Sequence, residues 1–186
     1  MAPVRIFIAL ELPGVVGRTL GDTIGILRVL GNQVRWVRPE GVHLTLKFLG
    51  DVDEARAPEV VACVQQASGK VAPFTVRTSG LGGFPDRERA RVVWVGIAGD
   101  LQPLALLQRE IEGALAQIGF PEDRRKFFPH LTLGRVRRRP VSLPSGATES
   151  VQSVNFRVDR VTVMKSDLRP DGAVYTPLGY GQIGAT

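Results

Sequence analysis

The sequence predicts an α+β fold built from two related lobes. Three stretches carry apolar residues at three- and four-residue spacing, as amphipathic helices do, and lie among short β-like runs. Several of those runs are joined by turns too short for a crossover, so their strands must be antiparallel. The tetrapeptide His-Leu-Thr-Leu occurs twice, at His43 to Leu46 and at His130 to Leu133, 87 residues apart in a chain of 186. Each copy falls in a strand soon after a helix, which makes an internal duplication the economical reading. One domain over 1–186 with two such lobes is expected.

The elements follow in order. Arg5 to Leu12 is rich in Ile, Phe and Leu and reads as a buried strand, ended by Pro13-Gly14. Val16, Leu20, Ile24, Leu27 and Leu30 place a helix over 14–30, with Gly31-Asn32 as its stop. Val34 to Arg38 is a short strand, Pro39-Glu40-Gly41 a turn, and Val42 to Leu49 a strand carrying the first motif. A second helix is expected over about 53–68, then strands at Phe74 to Leu81 and Arg91 to Ala98 flanking a loop at Gly82 to Asp86. Leu104, Leu107, Ile111, Leu115 and Ile118 predict a third helix over 101–118, which Gly119 ends. Phe128 to Val136 is a strand with the second motif, and Pro140 to Gly146 is a loop. Asn155 to Ser166 and Ala173 to Leu178 complete the strands, joined by Arg169-Pro-Asp-Gly172.

Composition narrows the function classes. Hydrophobic residues at 44% and charged residues at 23% are ordinary for a globular protein, and no apolar run approaches the roughly 18 to 20 residues that span a bilayer. Glu11 and Pro13 cut the N-terminal apolar run short of a signal-peptide core. One cysteine excludes an internal disulfide and, with only two histidines, the usual zinc-finger ligand sets, so a cytoplasmic protein is expected. A formal charge of +6 favours a polyanionic or phosphate-bearing partner.

The chain's two histidines both open the repeated tetrapeptide. In a strand, residues i and i+2 share a face, so His43 and Thr45 project together while Leu44 and Leu46 enter the core. His130 and Thr132 do the same against Leu131 and Leu133. Two facing platforms of this kind offer two titratable imidazoles and two hydroxyl donors. Phosphodiester cleavage needs that set: one imidazole takes a proton from water, the other protonates the departing oxygen, and donors neutralise the non-bridging oxygens. Such a pair predicts a bell-shaped pH profile. The alternative is that each histidine is a half-buried strand residue satisfied by a backbone carbonyl.

The segments His43-Leu-Thr-Leu-Lys-Phe-Leu-Gly50 and Pro129-His-Leu-Thr-Leu-Gly-Arg135 resemble the signature of the two-histidine phosphoesterase superfamily. Within it, the chain is similar to the RNA 2′,3′-cyclic phosphodiesterase branch, also called 2′-5′ RNA ligase. Supporting segments are Arg5 to Pro13, Arg35-Trp36-Val37, Phe84-Pro85, Val93-Trp94 and Gly172-Ala-Val-Tyr175. The resemblance implies a bilobal pseudo-two-fold α+β fold in which two antiparallel sheets line a central cleft and helices pack outside. It implies hydrolysis of RNA 2′,3′-cyclic phosphate ends to 2′-phosphates without metal or nucleotide cofactor, with 2′-5′ ligation as the related activity. By that analogy His43 is the general acid for O3′ and His130 the base for water, Thr45 and Thr132 bind phosphate, and Phe48 and Arg135 contact base or phosphate.

Phe48 and Arg135 each sit five residues after their histidine, where simple alternation points them away from it. A bulge or strand end must re-aim them if they touch ligand. Lys47 shares the His43 face by the same parity and is a candidate for phosphate. Arg124, Arg125 and Lys126 before the second motif, and Arg137 to Arg139 after it, fit an RNA backbone track or a solvated surface. Trp36 and Trp94 read as core. Asp51, Asp53 and Glu54 read as a helix cap and first turn rather than a cation site.

The expected partner is RNA with a 2′,3′-cyclic phosphate end, or a cyclic nucleotide, acted on by a monomer away from membranes. Competing readings keep the chemistry on a smaller cyclic phosphate or a 2′-5′ oligonucleotide, or make the protein a non-catalytic RNA binder, which would bind with strong salt dependence. A metal-dependent hydrolase is the weakest alternative.

Overall fold

The computed structural model describes residues 3–148, 151–169 and 172–185. Among them are strands β1 (Pro3–Glu11), β2 (Val34–Trp36), β3 (His43–Asp53), β4 (Phe74–Phe84), β5 (Val92–Gly99), β6 (His130–Val136), β7 (Asn155–Val158), β8 (Arg160–Arg169) and β9 (Gly172–Gln182). Helices α1 (Gly14–Leu27), α2 (Ala57–Gly69) and α3 (Leu101–Gln117) interleave with them. The turn expected at Pro170-Asp171 lies outside the described residues. None of the described helices is long and apolar enough to cross a membrane.

The strands hydrogen-bond in the order β7-β4-β5-β6-β3-β1-β8-β9, with β2 added to β6, and every pairing is antiparallel. The two expected sheets meet at one seam, where β3 and β6 pair through Leu44 and Leu131 alone. Each side of the seam holds a strand-helix-strand unit, β1-α1-β3 and β5-α3-β6, whose last strand opens with His-Leu-Thr-Leu. The lobes are not two halves of the sequence, because β8 and β9 return to lie beside β1.

The helices cover one face of the sheet. Leu44, Leu46, Leu131 and Leu133 share a core with Val16, Leu20, Ile24 and Leu27 of α1, Val60 and Val64 of α2, and Leu104, Leu107, Ile111 and Leu115 of α3. The opposite face is the cleft face, and Phe7, Ala9 and Met164 form a smaller buried cluster on it against Tyr175. Strand β1 is therefore buried on both sides, as its unalternating sequence requires: Ile6, Ile8 and Leu10 join the main core, Phe7 and Ala9 the smaller one.

Among the boundaries that differ from expectation, three have a clear physical reason. Strand β4 runs on through Gly82 and Gly83 because those glycines pair with Trp94 and Val93, and a Cβ at Gly82 would collide with the Trp94 ring. The strand expected from 155 to 166 breaks at Asp159, where the chain leaves the edge of β4 and crosses to β1. The positions that join the main core change parity there, from Phe156 and Val158 to Val161 and Val163. Helix α2 starts later than expected, because Asp53 accepts a hydrogen bond from Ala55 N (3.1 Å) and caps a 3₁₀ turn before it.

Candidate active site

Each motif opens its strand, and each histidine is oriented the same way. His43 Nδ1 lies 3.0 Å from the Gly41 carbonyl and His130 Nδ1 lies 2.7 Å from the Phe128 carbonyl. A carbonyl oxygen only accepts, so both Nδ1 atoms donate, and in the neutral rings Nε2 carries the lone pair. The backbone two residues upstream thus sets one tautomer at both places.

Leu44 and Leu131 are register partners with their side chains in the core. In an antiparallel pair the residues on either side of them fall opposite each other on the other face, so His43 lies across from Thr132 and Thr45 across from His130. The seam thus gathers both imidazoles and both hydroxyls on the cleft face. Exchanging the lobes maps one histidine-threonine set onto the other.

Aromatic rings wall both imidazoles. His43 stacks on Phe7 at 4.6 Å between centroids and meets the edge of Tyr175 at 5.0 Å. His130 packs edge-on to Phe84 at 5.0 Å, with Phe128 and Trp94 at 6.2 and 6.3 Å. Burial pushes both imidazoles below their ordinary value of 6.5, partly offset by the carbonyl each one donates to. The Arg135 charge lowers His130 further. Burial also raises the Tyr175 phenol, which therefore keeps its proton at neutral pH.

Matching bulges re-aim the residues after each motif. The β1–β3 register passes from Ala9 opposite Thr45 to Ile8 opposite Lys47, so Leu46 is extra. On β6 it passes from Trp94 opposite Thr132 to Val93 opposite Gly134, so Leu133 is extra. Both strands then show one sequence of exposure over seven residues, with Lys47 and Gly134 buried and Phe48 and Arg135 exposed. Phe48 is 65% exposed and lies 5.7 Å from the cleft-face ring of Phe7. Arg135 is close enough for its charge to act on both His130 and Tyr175.

The chain and its fold have counterparts among known proteins. The model of the 2′-5′ RNA ligase superfamily matches residues 24–170. The chain belongs to that superfamily. A relative from Aquifex aeolicus, named RNA 2′,3′-cyclic phosphodiesterase, is 34% identical over 154 residues, 81% of this chain and 80% of the relative. One of the same name from Methanothermobacter thermautotrophicus is 32% identical over 179 residues, 94% and 96% of the two chains. Among solved structures, TT0787 of Thermus thermophilus superposes with a TM-score of 0.84 at 26% identity, covering 97% of this chain and 98% of that one. Escherichia coli LigT in apo form gives 0.72 at 25% identity over 98% and 99%.

Lys47 stands apart from the face that His43 shares with Thr45. Its side chain is 4% exposed, pairs with Glu112 of α3, and donates to the Pro121 carbonyl at 2.8 Å. The bulge reverses the parity on which a phosphate contact was expected, so Lys47 is a structural residue. At the matching place in β6, a Cβ on Gly134 would meet Val34 at 2.6 Å and Trp36 at 2.8 Å, so β2 fills the space. Trp36 packs on the core as expected, whereas Trp94 helps wall His130. Arg137 to Arg139 are exposed, and Arg125 is held by Asp123 at 3.0 Å. Asp51 pairs with Arg5 at 3.4 Å. Among the described residues no three His, Cys, Asp or Glu side chains come together as a metal site would need.

Tyr175, Phe7, Phe84 and Phe128 escaped the sequence reading as site residues. The β9 segment Gly172-Ala-Val-Tyr175 and the Phe84-Pro85 pair entered it only through resemblance. Phe128 lies two residues before His130, the spacing by which strand residues share a face; no spacing rule links Tyr175, Phe7 and Phe84 to the motifs, since they reach the histidines across the sheet.

Proposed function

We propose that this protein hydrolyses the 2′,3′-cyclic phosphate end of RNA to a 2′-phosphate, using His43 as general acid and His130 as general base. The observation that carries the reading is the seam itself, which sets two imidazoles of one fixed tautomer across from two threonine hydroxyls. The names of the superfamily relatives support the substrate class.

Water attacks phosphorus while His130 Nε2 takes its proton, and the P–O3′ bond breaks as His43 Nε2–H protonates O3′. The products are a 2′-phosphate and a free 3′-hydroxyl. Thr45 and Thr132 donate to the non-bridging oxygens, Arg135 balances their charge, and Phe48 offers a ring to the terminal base. A phosphate anion in the cleft favours imidazolium, which restores the proton His43 must give despite its burial. A 5′-hydroxyl in place of water gives 2′-5′ ligation without ATP. Both lobes come from one chain and Cys63 is a free thiol, which suits a monomer in the reducing cytoplasm.

Incubation with an RNA ending in a 2′,3′-cyclic phosphate, followed by mapping of the terminal phosphate, tests the reading. A 2′-phosphate is expected, and a 3′-phosphate would reverse which ester oxygen leaves.

A further inference from the structure

A groove of about 560 Å³ opens beside His43, bounded by the end of β1, the first turns of α1 and the Pro39–Gly41 turn. It takes in the His43 and Tyr175 side of the assigned site, but Thr45, Phe48, His130, Thr132 and Arg135 do not line it. Glu11 is the register partner of His43 and Phe7 that of Phe48, so the Glu11 edge of the groove lies at one end of the β1–β3 pair and Phe48 near its middle. Four residues of β1 separate Glu11 from Phe7, about 13 Å, and the groove reaches back toward Phe7 only through Met164, its partner on β8.

We infer that this groove binds the nucleoside on the 5′ side of the one carrying the cyclic phosphate, so that the enzyme reads two nucleotides of an RNA end. The inference rests on the function proposed above. If His43 protonates O3′, the terminal ribose lies on the His43 side of the cleft. Its base goes to Phe48 near the middle of the strand pair, and its 5′-phosphodiester leaves toward the Glu11–His43 end, where the groove opens.

The lining suits that ligand. Tyr175, shared with the His43 wall, and Met164 give an apolar side for a ribose or base. The Glu11 and Glu40 carboxylates accept from ribose hydroxyls or exocyclic amines, and Thr162 Oγ1 steadies Glu11 at 2.8 Å. Arg18 is exposed at the α1 wall and matches an internucleotide phosphate. The volume falls within the roughly 300–1,000 Å³ of small-ligand pockets.

Helix α1 keeps this wall open with Gly17, although glycine weakens a helix. Neighbour packing does not require it, because a Cβ there would meet nothing closer than Pro39 O at 3.8 Å. A larger side chain at Gly17 would fill the groove without displacing backbone. This gives the test.

Specificity is read as kcat/KM on a cyclic-phosphate dinucleotide relative to the cyclic mononucleotide. The wild type should favour the dinucleotide by about tenfold, the worth of one good set of contacts, and Gly17→Leu should bring the ratio near one. Arg18→Ala should raise KM for the dinucleotide more than for the mononucleotide. No dinucleotide preference in the wild type, or a preference that survives Gly17→Leu, would overturn the groove assignment. So would a Gly17→Leu loss shared equally by both substrates. Wild-type turnover of neither substrate would instead overturn the proposed function on which the groove depends.

Discussion

Leu44 and Leu131 are the sole register pair between β3 and β6, and both are fully buried. The same residues that join the lobes through the core therefore hold the two motifs together on the cleft face. Truncating either to alanine should cost about 2–5 kcal/mol in denaturant unfolding, through lost transfer energy and the cavity left behind. Because they touch, the double variant should depart from additivity by at least about 0.5 kcal/mol.

The pH dependence follows from the two histidines. Hydrolysis needs one imidazole neutral and one protonated, and burial lowers both below 6.5 in the free protein. The singly protonated pair is most populated between two lowered values, so kcat/KM should peak on the acid side of pH 6.5. Above the peak it should fall about tenfold per pH unit, as proton loss from the acid becomes complete. A peak well above 7 would show that the free enzyme's acid and base are not these groups.

Lys47 is expected to behave as a core residue. It ties β3 to Glu112, which also accepts from Gln108 Nε2 at 3.1 Å and from the Asp123 backbone N at 3.2 Å. The pair therefore anchors the segment that leads into His130. Removing one partner of such a buried pair costs about 3–5 kcal/mol, so Lys47→Met should unfold at markedly lower denaturant. At temperatures where it stays folded, KM should remain within about twofold of wild type, whereas loss of a phosphate contact would raise KM.

Tyr175 supplies an edge to the His43 ring. Tyr175→Ala opens that wall to water and should raise the His43 pKa toward its ordinary value, followed by NMR titration of the imidazole. Tyr175→Phe keeps the ring and should leave the titration nearly unchanged. Equal shifts in the two variants would assign the effect to the hydroxyl instead.

Much of this arrangement can be read from the chain. The placement of His43 with Thr45 and of His130 with Thr132 follows from strand parity alone, and so does the need for a bulge before Phe48 or Arg135 can turn back to that face. Parity fails at Lys47 because a bulge is decided by the partner strand, and nothing within His-Leu-Thr-Leu-Lys announces one. The change of sheet at Asp159 leaves a trace in the parity of Phe156, Val158, Val161 and Val163, but it is intelligible only once two partner strands are known. The walls formed by Phe7, Phe84 and Tyr175 depend on pairing across the sheet, which no local pattern encodes.

The central claim is that His43 and His130 are the acid and the base of one reaction. Its most direct test is turnover of an RNA ending in a 2′,3′-cyclic phosphate by His43→Ala and His130→Ala separately, each first shown by circular dichroism to be folded. Each variant should lose about 10²- to 10⁴-fold in kcat, the usual worth of a positioned proton-transfer group. Turnover near the wild-type rate in either variant would contradict it.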